Sequence, residues 1–126
     1  IKRMVRDLNF PIEIIGCPIV REDDGLAKSS RNNYLSPSER KAALILNKSL
    51  TKAKELLSTG EKSAELLKEI IKNGLESEVL AKIDYIEVVD ALSLTTIEII
   101  DKPVLVAIAV FFGKTRLIDN FIWKTK

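Results

Sequence analysis

Residues 104–112 read VLVAIAVFF, an unbroken apolar run rich in β-branched side chains. At strand period such a run has no polar face, so it is stable only where other groups cover both of its sides. That makes it the central strand of a sheet. Its partners lie on either side in the sequence: IDYIEVVDA (83–91) and TRLIDNFIW (115–123) are also rich in β-branched and aromatic residues but carry the charges expected of outer strands. The GKT between the second and third runs is short enough for a hairpin, which makes that pair antiparallel.

Two amphipathic helices are expected before the strands. In SPSER (36–40), Ser36 is placed to cap, Pro37 suits the first helical position and Glu39 completes a capping box. From Pro37 an apolar stripe of Ala42, Ala43, Leu46, Leu50, Ala53, Leu56 and Leu57 continues for about five turns, to a stop at Thr59 and Gly60. A second stripe of Leu66, Leu67, Ile70 and Ile71 ends between Asn73 and Glu78. The expected fold class is therefore α+β, with helices packed on a three-stranded antiparallel sheet.

The first residues have a different character. Ile1, Met4, Val5 and Leu8 recur at helical spacing until Asn9 and Pro11 end the pattern. IEIIGCPIV (12–20) reads as a short buried strand broken by Gly16 and Pro18, with Cys17 as a small core residue. A helix leading into a buried strand is the last piece of an α/β unit. The chain opens without methionine inside a helix already under way, so it is expected to be part of a longer protein.

Composition narrows the chemistry. Twenty basic residues stand against 18 acidic ones, a formal charge of +2, which is weak for a chain that grips phosphate backbones, and no nucleic acid partner is expected. There is no histidine, so the commonest acid/base at neutral pH and the commonest metal ligand are both missing. With Cys17 as the single cysteine, a reducing compartment such as the cytoplasm is expected. The sequence shows no signal peptide, and no charge-free apolar run approaches the roughly 18 residues of a membrane span, so no membrane partner is expected either.

Residues 21–35, REDDGLAKSSRNNYL, follow neither period and form a polar loop in which Leu26 is the evident apolar anchor. Ser29, Ser30 and Arg31 would suit an anion, because hydroxyls and amides donate to phosphate oxygens and a guanidinium grips two of them at once. Taken alone, a solvated loop whose serines and asparagines satisfy local backbone is the stronger interpretation. Glu22, Asp23 and Asp24 form an acidic run of the kind that is ordinarily solvated rather than a magnesium site. Phe111, Phe112 and Trp123 fit a core better than a base-stacking surface, Lys114 and Arg116 read as surface charges, and Asp119 and Asn120 as structural hydrogen-bonding residues.

The order of these pieces resembles one enzyme family. IEIIGCPIVREDDGLAKSSRNNYLSPSER is similar to the middle of the pantoate:beta-alanine ligases, with their G-x-P-x-x-R-x-x-D-G-L-A strand end and S-S-R-N-x-Y-L loop, and VAIAVFFGKTRLIDN (106–120) resembles the family's ending. The resemblance implies a nucleotidylyltransferase whose active site is shared between a Rossmann-like N-terminal domain and a C-terminal lid. ATP would activate pantoate as pantoyl adenylate with loss of pyrophosphate, assisted by magnesium held mainly outside this chain. Beta-alanine would then give pantothenate and AMP. It divides the chain into the tail of the Rossmann-like domain (1–20), an ATP-phosphate loop and hinge (21–35) and the lid (36–126).

It also implies roles for residues. Ser29 and Ser30 would bind phosphate oxygens, Arg31 would be catalytic by offsetting charge on the leaving pyrophosphate, and the Val20 backbone would recognise adenine. Lys28 stands where the family usually has an apolar side chain and joins the ATP-binding candidates. The family's histidine pair, pantoate-holding glutamines and phosphate-side lysine and acids would lie before Ile1, so this chain alone is expected to be inactive and the whole enzyme to be a cytoplasmic homodimer. The alternative is a non-catalytic interaction or RNA-contacting module, against which residues 42–126 balance 12 basic with 12 acidic side chains.

Overall fold

The computed structural model describes residues 1–125. In chain order it contains α1 (Lys2–Asp7), a 3-10 turn (Ser30–Tyr34), α2 (Pro37–Ala42), α3 (Ile45–Ser58), α4 (Ala64–Glu76), β1 (Ala81–Asp90), β2 (Val104–Phe112) and β3 (Thr115–Trp123). The sheet order is β1-β2-β3, antiparallel throughout, so the uninterrupted apolar run is the central strand. Val104, Val106, Ile108, Val110 and Phe112 point one way along β2 and are fully buried with the apolar faces of α3 and α4. On the other face Ala109 is buried while Leu105, Ala107 and Phe111 are only half-buried. The helices pack on one side, so the expected cover on both faces is only partly realised.

The β2–β3 hairpin sets Phe112 opposite Thr115 across Gly113 and Lys114. Gly113 has φ +57°, a value that suits the first residue of a two-residue hairpin loop. A Cβ there would also run into the Glu39 carboxylate, so the hairpin tip and the start of α2 meet closely. Glu39 is held by the capping box: the Ser36 hydroxyl accepts from the Glu39 amide at 3.3 Å and the Glu39 carboxylate accepts from the Ser36 amide at 2.8 Å.

Three expectations are corrected. The long helix from Pro37 is two helices, because at Ala43 and Leu44 the hydrogen bonds shorten to Leu44 N–H to Lys41 C=O and Leu46 N–H to Ala43 C=O. The dihedrals there stay near helical, so the apolar stripe keeps its face while the α ladder is broken. In α4 the buried line is Ala64, Leu67, Ile71 and Leu75, with Leu66 exposed and Ile70 half-buried. Residues 12–20 form no strand: Ile12, Ile15, Ile19 and Val20 are exposed, and so is Cys17. A strand exists by virtue of its ladder, and among the described residues no neighbouring strand lies beside this segment.

The turn after β1 is organised by Asp90, whose carboxylate accepts from the Leu92 and Ser93 amides and the Ser93 hydroxyl and pairs with Lys102 at 3.0 Å. The Ser93 amide first, then the Lys102 ammonium, hold its carboxyl well below the usual carboxylate range. A depressed native pKa gives stability that is fully present above the unfolded value of about 3.9 and is lost as pH falls further. Asp90→Asn is therefore expected to destabilise the chain at pH 7 and to matter progressively less below about pH 4, as urea unfolding at both pH values will show. Equal destabilisation at both would contradict the assignment.

Candidate functional site

The polar loop is built on a narrow hairpin. Lys28 N–H donates to the Val20 carbonyl at 2.9 Å and Glu22 N–H to the Leu26 carbonyl at 2.8 Å, with Arg21 bridged to Ala27. Gly25 closes the turn at φ +93°, a conformation that favours glycine. Leu26 is only 2% exposed and joins the main core. Arg40 donates to both oxygens of Asp24 at 3.0 and 2.8 Å. The loop is thus anchored at more points than its polar composition suggests.

Past the hairpin, the Ser29 hydroxyl accepts from the Arg31 amide at 3.2 Å and starts the 3-10 turn. Asn32 Nδ2 donates to the Ala27 carbonyl at 3.1 Å, while its Oδ1 is buried without a hydrogen-bond partner. This turn packs beside β3. A cleft of about 270 Å³ lies between them, lined by Lys28, Ser29, Arg31 and Asn32 on one wall and by Arg116 and Asn120 on the other. Asp119 also reaches it, but both its oxygens are taken by Arg21, at 2.7 and 2.9 Å. Apolar side chains, Leu26, Leu46, Leu117 and Ile118 among them, complete the lining, and of its three cations Lys28 pairs with Glu22 and Arg116 with Asp84, so the pull on an anion centres on Arg31.

The profile of the family described as pantoate-beta-alanine ligase matches residues 1–122. The chain belongs to the pantoate-beta-alanine ligase family. It is 62% identical over 124 residues to the pantothenate synthetase of Clostridium botulinum strain Kyoto and 64% identical over 123 residues to that of Clostridium acetobutylicum, covering 98% of this chain and 44% of the relative in each case. A crystal structure of the pantothenate synthetase of Thermus thermophilus superposes with a TM-score of 0.86 at 39% identity, covering 95% of this chain and 43% of that one. The pantoate-beta-alanine ligase of Francisella tularensis, complexed with beta-gamma ATP and beta-alanine, superposes at 0.51 with 28% identity, over 96% of this chain and 37% of that one. The chain thus spans less than half the length of these relatives and corresponds to their C-terminal portion.

In this chain Lys28, Ser29 and Arg31 share one cleft, whereas Ser30 and Val20 do not line it. Val20 lies exposed at the base of the hairpin, where its carbonyl already accepts from Lys28, and Ser30 is exposed at the start of the turn. Lys28 Nζ rests 3.5 Å from Glu22 in an exposed ion pair, a contact worth at most about 1 kcal/mol and readily exchanged for an anion. Among the described residues, the ion pairs around the cleft engage Arg21, Lys28, Arg40 and Arg116, and leave out Arg31.

Arg21 stands in the sequence as part of a motif with no role of its own and Arg116 as a surface charge, and the fold gives each a carboxylate partner. Arg116 bonds Asp84 at 2.8 Å and sits over the Tyr85 ring at 5.6 Å, and it lines the same cleft as Arg31. Asp84 sits at the point where β1 slips register between Ile83 and Tyr85. No local pattern announces such a cleft, since it is assembled from segments far apart in the chain.

Proposed function

We propose that this chain is the lid part of an ATP-dependent, AMP-forming pantoate:beta-alanine ligase, with residues 1–20 the tail of its nucleotide-binding domain and 21–35 the phosphate loop. The observation that carries this is the cation-lined cleft gathering Lys28, Ser29 and Arg31 against β3. The Francisella tularensis relative, complexed with beta-gamma ATP and beta-alanine, supports the choice of ligands.

In this reading a pantoate carboxylate oxygen attacks the α-phosphorus of ATP and the bond to pyrophosphate breaks, giving pantoyl adenylate. Beta-alanine's neutral amine then attacks the acyl carbon, the bond from that carbon to the AMP oxygen breaks and the nitrogen gives up one proton to water, leaving pantothenate and AMP. Arg31 offsets negative charge growing on the departing pyrophosphate, Ser29 and Ser30 donate to phosphate oxygens, and Lys28 exchanges Glu22 for phosphate. None of these roles needs a proton transfer, which suits a chain without histidine. The Val20 backbone would face adenine. Magnesium in the proposed enzyme is held mainly outside this chain, since among the described residues no three acidic side chains come together to hold a metal ion. The whole enzyme is proposed to be a cytoplasmic homodimer without nucleic acid or membrane partners, and no described helix is long and apolar enough to cross a membrane.

With pantoate's holding groups outside it, the chain by itself is expected to form no pantothenate above background from ATP, pantoate, beta-alanine and magnesium. A full-length ligase carrying it should turn over in the same assay. Product from the chain alone would show that it is not a lid lacking its other half.

A further inference from the structure

We propose that Asp119, acting through Arg21, is a positioning residue that holds the phosphate loop against the sheet at the angle its donors require. This rests on the function proposed above. Arg21 Nη1 and Nη2 donate to Asp119 Oδ2 and Oδ1 at 2.7 and 2.9 Å, and Nη1 also donates to the Gly25 carbonyl at 3.1 Å. Asp119 Oδ1 accepts in addition from the Asn120 amide at 2.7 Å. The aspartate side chain is 1% exposed and the arginine 24%. One forked contact therefore joins the base of the hairpin to the middle of β3 across 98 residues of sequence.

Its place explains its value. Arg21 is bridged to Ala27, whose carbonyl is held by Asn32, and the next residues are Lys28 and Ser29 on the cleft wall. The bond to Asp119 raises the Arg21 pKa against the opposing effect of burial. A buried ion pair is weak as a stabiliser, since desolvation offsets much of its attraction, and Leu26 already fastens the loop by apolar burial. What a two-pronged pair adds is a fixed direction. It also neutralises a carboxylate that would otherwise repel phosphate inside the cleft.

The test uses a full-length ligase carrying this chain, with pantoyl adenylate formation measured at saturating and limiting ATP. Asp119→Asn should lower kcat about ten-fold with little change in KM for ATP, and in an Arg31→Ala background it should cost clearly less, about three-fold, because only Lys28 and the serine hydroxyls are then left to position. Arg21→Lys, which keeps the charge but loses the fork, should behave in the same way and substitutes if Asp119→Asn does not fold. Amide exchange at Lys28 to Arg31 should speed up in both variants. Turnover within about two-fold of the parent in a folded variant, or an undiminished loss in the Arg31→Ala background, would overturn the proposal. Arg31→Ala turnover within about two-fold of the parent would instead overturn the catalytic role of Arg31 on which this proposal rests, so the two failures are distinguishable.

Discussion

Arg31→Ala in a full-length ligase carrying this chain should slow pantoyl adenylate formation about 100-fold or more, as removal of a fixed electrostatic donor does elsewhere, while ATP binding weakens far less. The guanidinium lines the cleft and, among the described residues, no carboxylate pairs with it. It is therefore available to charge that appears during the reaction. Charge on the bridging oxygen rises as pyrophosphate departs, so the contact strengthens between ground state and transition state and its loss falls on kcat. Arg31→Lys should recover only part, because a point charge replaces a planar two-pronged donor. Ser29→Ala and Ser30→Ala should each be milder, since neutral hydroxyls bind phosphate more weakly than a cation. An Arg31→Ala enzyme that is folded and forms adenylate within about two-fold of the parent rate would remove the catalytic role from this residue.

The largest stability effect is expected at Phe112. It is fully buried on the inner face of the central strand, next to the Gly113 turn and in the same core as Leu46, Leu67 and Ile71. Phe112→Ala removes its transfer free energy and leaves a cavity that interlocked strands and helices cannot close, a loss of about 3–5 kcal/mol. Domains of this kind hold only about 5–15 kcal/mol in total, so the variant should unfold at much lower urea. Ile122→Ala, at a position 60% exposed on the opposite face, should change stability by about 0.5 kcal/mol or less. A loss below about 1 kcal/mol for Phe112→Ala would mean that this face of β2 is not the packed core.

What could be read from sequence follows from how local each cause is. VLVAIAVFF can be stable only as an inner strand, and the Ser36, Pro37 and Glu39 cap is written in adjacent residues. The break at Ala43 and Leu44 left no mark, because Ala-Ala-Leu-Ile is helical by every local criterion. Residues 12–20 have strand composition but no neighbouring strand among the described residues, so their apolar side chains and Cys17 stand exposed. On the loop side, Ser29 and Arg31 stand in the SSR run, which by itself reads as a solvated loop, and its middle member Ser30 does not line the cleft. The opposite wall was not legible, because Arg116, Asp119 and Asn120 meet the loop only after β3 folds back beside it.

The central claim is that residues 28–31 close on the phosphates of ATP. It is tested most directly by a crystal structure of a full-length ligase carrying this chain, bound to a non-hydrolysable ATP analogue and pantoate. The Arg31 guanidinium and the Ser29 and Ser30 hydroxyls should then lie at hydrogen-bond distance, within about 3.2 Å, of phosphate oxygens, with Lys28 released from Glu22. A triphosphate bound in place with residues 28–31 out of reach of it would show that this loop does not bind the phosphates.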